Sequence, residues 1–142
     1  MKKKNSGFSL LELLIVVAII LIIATIAIPS LLRSRQAANE SAAVANLRTI
    51  NTAQVTYLSS SGGNYGTITG LVAAGLLDTR FNGTVSGYNY TVVASGADYT
   101  ATGDPASGNT GRFGYYSLPD GVVRYSTADS LNGDNTAGAP VQ

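Results

Sequence analysis

The chain of 142 residues contains no cysteine, no histidine and no tryptophan. Without cysteine there is no disulfide and no thiolate nucleophile. Without histidine there is no imidazole base, and the usual zinc ligand sets cannot form. Charge is scarce as well, at 12% of residues against 45% hydrophobic. The formal net charge of +1 depends on Lys2, Lys3 and Lys4; beyond them six arginines face eight carboxylates, a side-chain balance of −2. That leaves no polybasic surface for nucleic acid or anionic lipid. No Gly-x-Ser-x-Gly or phosphate-loop pattern occurs and no base accompanies any serine. The sequence therefore predicts neither an enzyme active site nor a cofactor.

What the chain does have is concentrated at one end. Met1–Gly7 (MKKKNSG) is a short basic leader, and Phe8–Ile28 is apolar except for Ser9, Glu12 and Thr25. As a helix this stretch would extend roughly 31 Å, about the thickness of a bilayer's hydrocarbon core. The three lysines predict a cytoplasmic N-terminus, with everything after Pro29 facing outward. A secretory signal peptide is one alternative, but its apolar region would be shorter and end at a small-residue cleavage site, whereas this run continues past Ala18 and Ala24. A plain signal anchor accounts for the length but not for Glu12 or Gly7.

From Ser30 onward helical character continues. Residues 31–59 contain no glycine and no proline. Ala43, Val44, Leu47, Ile50, Tyr57 and Leu58 recur at steps of three and four, making one apolar stripe. Gln54 falls inside the stripe and needs a hydrogen-bond partner; Arg33, Arg35, Glu40 and Arg48 lie off it or at its edge. Phe8–Ser59 thus reads as one helix of about 50 residues, some 75 Å long. The roughly 80 residues that follow cannot bury such a helix, so its first half needs lipid or other copies of itself.

The remainder is rich in Gly, Ser, Thr, Ala, Asn and Tyr. Residues 59–66 (SSSGGNYG) read as a loop and Leu71–Leu77 as a short helix, weakened by Gly75. Tyr88–Val93 and Tyr99–Thr102 flank Ser95-Gly96 as a hairpin. Arg112–Leu118 and Val122–Ser126 flank the turn Pro119-Asp120-Gly121. The predicted class is α+β: a long N-terminal helix, apolar then amphipathic, whose second half packs on a small antiparallel meander of four strands. Residues 104–111 read as a loop. The domain plan is 1–7 leader, 8–29 membrane or filament-core segment, 30–59 amphipathic half, 60–126 loop, short helix and sheet, and 127–142 polar tail. The tyrosines at strand spacing read as cross-strand packing pairs, with surface stacking as the alternative.

Glu12 is the odd residue. An isolated carboxylate at membrane depth is costly unless protonated or partnered, although near the helix end it can reach headgroups. Here the sequence resembles the type IV pilin family, which includes the pseudopilins of type II secretion. The resemblance is carried by Lys2–Lys4, Gly7, Phe8, Glu12, the run to Ile28, and Pro29. It implies cleavage by a prepilin peptidase between Gly7 and Phe8 and N-methylation of Phe8. It gives Glu12 the family's role of pairing with the terminal ammonium of a neighbouring subunit, a partner for a buried charge. It further implies a homo-oligomeric filament, minor pilins, and an inner-membrane assembly platform driven by an ATPase. The protein would sit in the bacterial inner membrane before assembly and in a surface pilus or periplasmic pseudopilus afterwards. Many family members close their C-terminal region with a disulfide, which this chain cannot form.

Three readings stay open within this frame. Pro29 cannot donate to the carbonyl of Thr25, which predicts a kink; the resemblance adds that this region can unwind in filaments. Asp129, Asn132 and Asp134 in the tail are oxygen donors of the kind that bind calcium, as major pseudopilins do, or they are solvated turn residues. The function predicted is a structural subunit of a type IV pilus. The alternatives are a pseudopilin of a type II secretion system and a signal-anchored extracytoplasmic module that never polymerises.

Overall fold

The computed structural model describes residues 7–126 and 138–141. The chain divides into two compact units, Met1–Ser34 and Arg35–Gln142. One helix, α1 (Leu10–Ser60, 51 residues), contributes to both. It begins two residues later than the sequence predicts, because Ser9 acts as its N-cap. Helical geometry runs unbroken through Pro29.

In the first unit the helix is exposed on every side, from Leu10 to Leu32. Among the described residues nothing covers it. Its polar interruptions are satisfied internally: the Thr25 hydroxyl donates to the Ile22 carbonyl and that of Ser34 to the Ser30 carbonyl. The same habit continues in the second unit, where Thr49, Thr52, Thr56 and Ser59 each donate to the carbonyl four residues earlier. These short side chains would otherwise compete with the helix for backbone partners.

The second unit is α+β. After α1 come α2 (Ile68–Ala73), a 3-10 turn at Thr79–Asn82, and six strands: β1 (Thr84–Val85), β2 (Tyr88–Ser95), β3 (Asp98–Pro105), β4 (Tyr115–Ser117), β5 (Val123–Tyr125) and β6 (Ala139–Pro140). They form one antiparallel sheet in the order β1 to β6, a pure meander. The four predicted strands are present as β2 to β5. The sequence reading missed β1 and β6, which are too short to carry a period-2 pattern. It also set α2 three residues late: Thr67 caps it by accepting from the Gly70 amide, and Gly75 (φ 71°) lies beyond its end. The β2–β3 turn is Gly96-Ala97 rather than Ser95-Gly96, with Gly96 supplying a φ of 60°.

The core lies where the apolar stripe of α1 meets the inward face of the sheet. Alternate residues Tyr88, Tyr90 and Val92 on β2, Tyr99 and Ala101 on β3, Tyr115 on β4 and Val123 on β5 point inward and are buried with Ala43, Val44, Leu47, Ile50 and Ala53 of the helix. Gly103, also inward, makes room for the Tyr90 ring; a side chain there would press on it. The rings meet edge-on or tilted, Phe81 against Tyr90 at 5.5 Å and Tyr88 against Tyr115 at 6.0 Å between centroids. These are favourable quadrupole geometries.

Candidate functional site

Gly7, Phe8 and Ser9 lie outside the helix. The Ser9 carbonyl accepts from the Leu13 amide at 3.2 Å, and the Ser9 amide donates to Glu12 Oε2 at 3.0 Å. Ser9-Leu10-Leu11-Glu12 has the S-x-x-E pattern of a capping box, and the half of it that the structure shows is the glutamate reaching back to the cap amide. The carboxylate sits at the positive end of the helix dipole, which also favours it. This answers in part the question Glu12 raises. One carboxylate oxygen is satisfied within the chain, and Oε1 accepts nothing from the described residues.

Phe8 is 82% exposed, and a side chain added at Gly7 would meet nothing within 4 Å. The structure thus brings Gly7, Phe8 and Glu12 together at one helix end. Pro29 stands 17 positions further along α1, roughly 26 Å away. Asp129, Asn132 and Asp134 lie outside the described residues, and among the described residues no three carboxylates cluster as a metal site would require. One helix among the described residues, α1, is long and apolar enough to cross a membrane, judged by length and composition.

In the second unit three polar side chains of α1 hold the segment at 108–112. Gln36 Nε2 donates to the Gly108 carbonyl at 2.9 Å and Asn39 Nδ2 to the Thr110 carbonyl at 2.8 Å. Glu40 accepts from the backbone amide, Nε and Nη2 of Arg112 at 2.9, 3.0 and 2.8 Å. Burial alone would raise the Glu40 carboxyl, but the Arg112 hydrogen bonds and charge outweigh it and hold the group below its usual value. The sequence reading placed Glu40 at the edge of the stripe and missed this role. The available signal was its spacing: Glu40, Val44 and Leu47 share one helical face.

A second polar network sits deeper. Asn51 Oδ1 accepts from the Tyr99 hydroxyl at 2.9 Å, while its Nδ2 donates to Ser117 Oγ at 2.7 Å and to the Gly121 carbonyl at 3.1 Å. Burial pushes the Tyr99 hydroxyl up to about 12, so it remains a donor at any physiological pH. Gln54, fully buried, donates to the Gly66 carbonyl at 2.6 Å and accepts from the Gly66 amide at 2.9 Å. That is the partner the sequence required. The first network ties two strands and the loop at Gly121 to the helix, and the second ties the loop at Gly66 to it.

The family description "Prokaryotic N-terminal methylation motif" matches residues 2–28. The chain is 46% identical over 56 residues to the type IV major pilin protein PilA of Myxococcus xanthus; that alignment covers 39% of this chain and 26% of the relative, about a quarter of its length. It is 34% identical over 127 residues to the type IV wide pilus major component PilA4 of Thermus thermophilus, covering 89% of this chain and 92% of the relative. No solved structure matches it significantly. The second relationship spans both units, and the motif covers the capped, exposed helix end. The chain therefore belongs to the type IV pilin family, the structural subunits of type IV pili.

Proposed function

We propose that this pilin is made as a precursor with leader 1–7, cut between Gly7 and Phe8 by a prepilin peptidase and N-methylated at Phe8. Residues 8–29 then hold it in the inner membrane with the N-terminus cytoplasmic. An assembly platform and its ATPase, together with minor pilins, pass it into a filament. There the same segment becomes the core, 30–59 carries the sheet of 60–126 outward, and Glu12 pairs with the terminal ammonium of a neighbour.

The observation that carries this reading is the uncovered apolar helix with one carboxylate at its capped end. Exposed apolar surface of this size is not left in water. Burying on the order of 1,500 Å² of it yields tens of kcal/mol gross, before the entropy of association. Glu12 keeps one oxygen for a cation. Gly7 has open space around its Cα, so the fold itself does not call for glycine there, which fits a residue read by an outside enzyme.

The test is the intact mass of the protein from native membranes and from sheared surface material. A chain beginning at N-methyl-Phe8 and abundant in the sheared fraction is expected. A processed chain confined to membranes would move the assignment to a pseudopilin or a minor pilin. A chain that retains Met1–Gly7 would overturn the processing scheme.

A further inference from the structure

The apolar surface of α1 ends at Leu31 and Leu32, which are 70% and 47% exposed. Arg33 follows at once and Arg35 two positions later; both are exposed, and neither forms an ion pair or hydrogen bond with any described residue. The hydroxyl of Ser34, between them, is already given to the Ser30 carbonyl at 3.1 Å. Among the described residues, two guanidinium groups are therefore left with no partner, directly beyond the most apolar segment.

Their position along the helix is informative. Arg33 lies 21 residues after Glu12, roughly 32 Å along the axis, while a hydrocarbon core is about 30 Å thick. With Glu12 at one interface, Arg33 reaches the headgroup level of the other. Residues two apart on a helix point about 200° apart, so Arg33 and Arg35 make a collar rather than a patch. Whichever way the helix turns in the membrane, one of them faces lipid. A guanidinium fork matches two phosphate oxygens and stays charged at all working pH values. Its long stem lets the charge reach the interface while the methylenes remain on apolar surface.

We propose that Arg33, backed by Arg35, binds the phosphates of phospholipid headgroups at the outward face of the membrane and so sets the depth at which the unassembled subunit is held. The inference rests on the membrane-anchored reading above. The ligand is the phosphate itself, so a lipid of zero net charge suffices and no basic patch is needed. Entry into a filament would exchange these phosphates for other partners, which makes the collar part of the barrier to leaving the bilayer.

The experiment uses the processed full-length chain with ¹³C in the arginine guanidinium carbons, reconstituted in phosphatidylcholine vesicles in phosphate-free buffer at high lipid-to-protein ratio. Solid-state NMR reads the dephasing of those carbons by lipid ³¹P. Amide exchange over 10–32, recorded on the same samples, reports whether the segment is inserted. The expected result is dephasing that Arg33→Gln reduces and that Arg33→Gln with Arg35→Gln removes by more than half, with 10–32 protected in every sample. Protected amides without dephasing, or dephasing unchanged in the double variant, would overturn the collar and leave the anchor standing. Unprotected amides would overturn the anchor and the collar together. Contact of these guanidinium groups with ¹³C-carboxylates of a second copy, in place of phosphorus, would assign them to the subunit interface instead.

Discussion

Gln54 and Gly66 pair reciprocally: the buried carboxamide gives one Nε2 proton to the Gly66 carbonyl and takes the Gly66 amide proton on Oε1. The pair ties the loop after α1 back to the helix that precedes it. Gln54→Leu keeps the volume but strands both backbone groups away from water. Each stranded group costs about 1–3 kcal/mol. The variant is expected to lose about 2–6 kcal/mol of stability by the same reasoning, read as a lower unfolding midpoint by near-ultraviolet circular dichroism of the detergent-solubilised chain. A midpoint equal to wild type would show that the pair contributes nothing net.

Acid should loosen the segment at 108–112 before the rest. The Glu40 carboxyl titrates below the usual 4.5 in the folded chain, so its ionised form favours folding. That contribution is complete above 4.5 and is lost as pH falls through the lower folded value. Glu40→Gln should be less stable than wild type by about 2 kcal/mol at neutral pH, the scale of a hydrogen bond to a charged group. The gap should narrow toward zero on titration below pH 4.5. A gap independent of pH would mean that shape, not charge, holds Arg112.

Glu12→Ala should separate anchoring from assembly. The apolar helix is untouched, so the variant should be found in membranes with normal abundance and normal leader removal. It should be missing from sheared filaments, at least tenfold below wild type by immunoblot. Ordinary filaments from Glu12→Ala would remove the role given to this carboxylate.

The last strand depends on a contact that involves no cysteine. The Gly138 amide donates to the Tyr116 hydroxyl at 2.8 Å, and a Cβ at Gly138 would overlap the Tyr125 carbonyl. Gly138→Ala should therefore detach β6. Amide exchange at Val141, whose proton goes to the Val123 carbonyl at 2.9 Å, should accelerate at least tenfold while β2 and β3 stay protected. Unchanged Val141 protection would show that the edge strand tolerates the methyl group.

The features visible in the sequence were those that repeat or stand out locally. The run to Ile28 and the glycine-free stretch after Pro29 gave the helix. The segments flanking Ser95-Gly96 marked β2 and β3, and a glutamine inside an apolar stripe demanded the partner it has. What stayed hidden depends on distant chain. Glu40 and Arg112 are 72 residues apart, and a two-residue strand such as Ala139–Pro140 exists only because Arg124 and Tyr125 offer it an edge. The β1–β2 turn was legible and was missed. Ser86-Gly87, both at positive φ (52° and 76°), carries the signature of a tight hairpin. At the site itself, the three-residue spacing of Ser9 and Glu12 is legible as the S-x-x-E cap pattern, because that contact is local.

The hydroxyls of α1 turn inward to its own carbonyls at Thr25, Ser34, Thr49, Thr52, Thr56 and Ser59. A rod that keeps its polar groups to itself asks nothing of its surroundings beyond room. Between Glu12 and Pro29, where Thr25 is the one polar side chain and bonds within the helix, it can meet hydrocarbon, water or the flank of another rod without breaking or making a hydrogen bond. Moving it from one medium to another is then a matter of surface and of the few charges at Glu12, Arg33 and Arg35, which makes the helix portable between solvents.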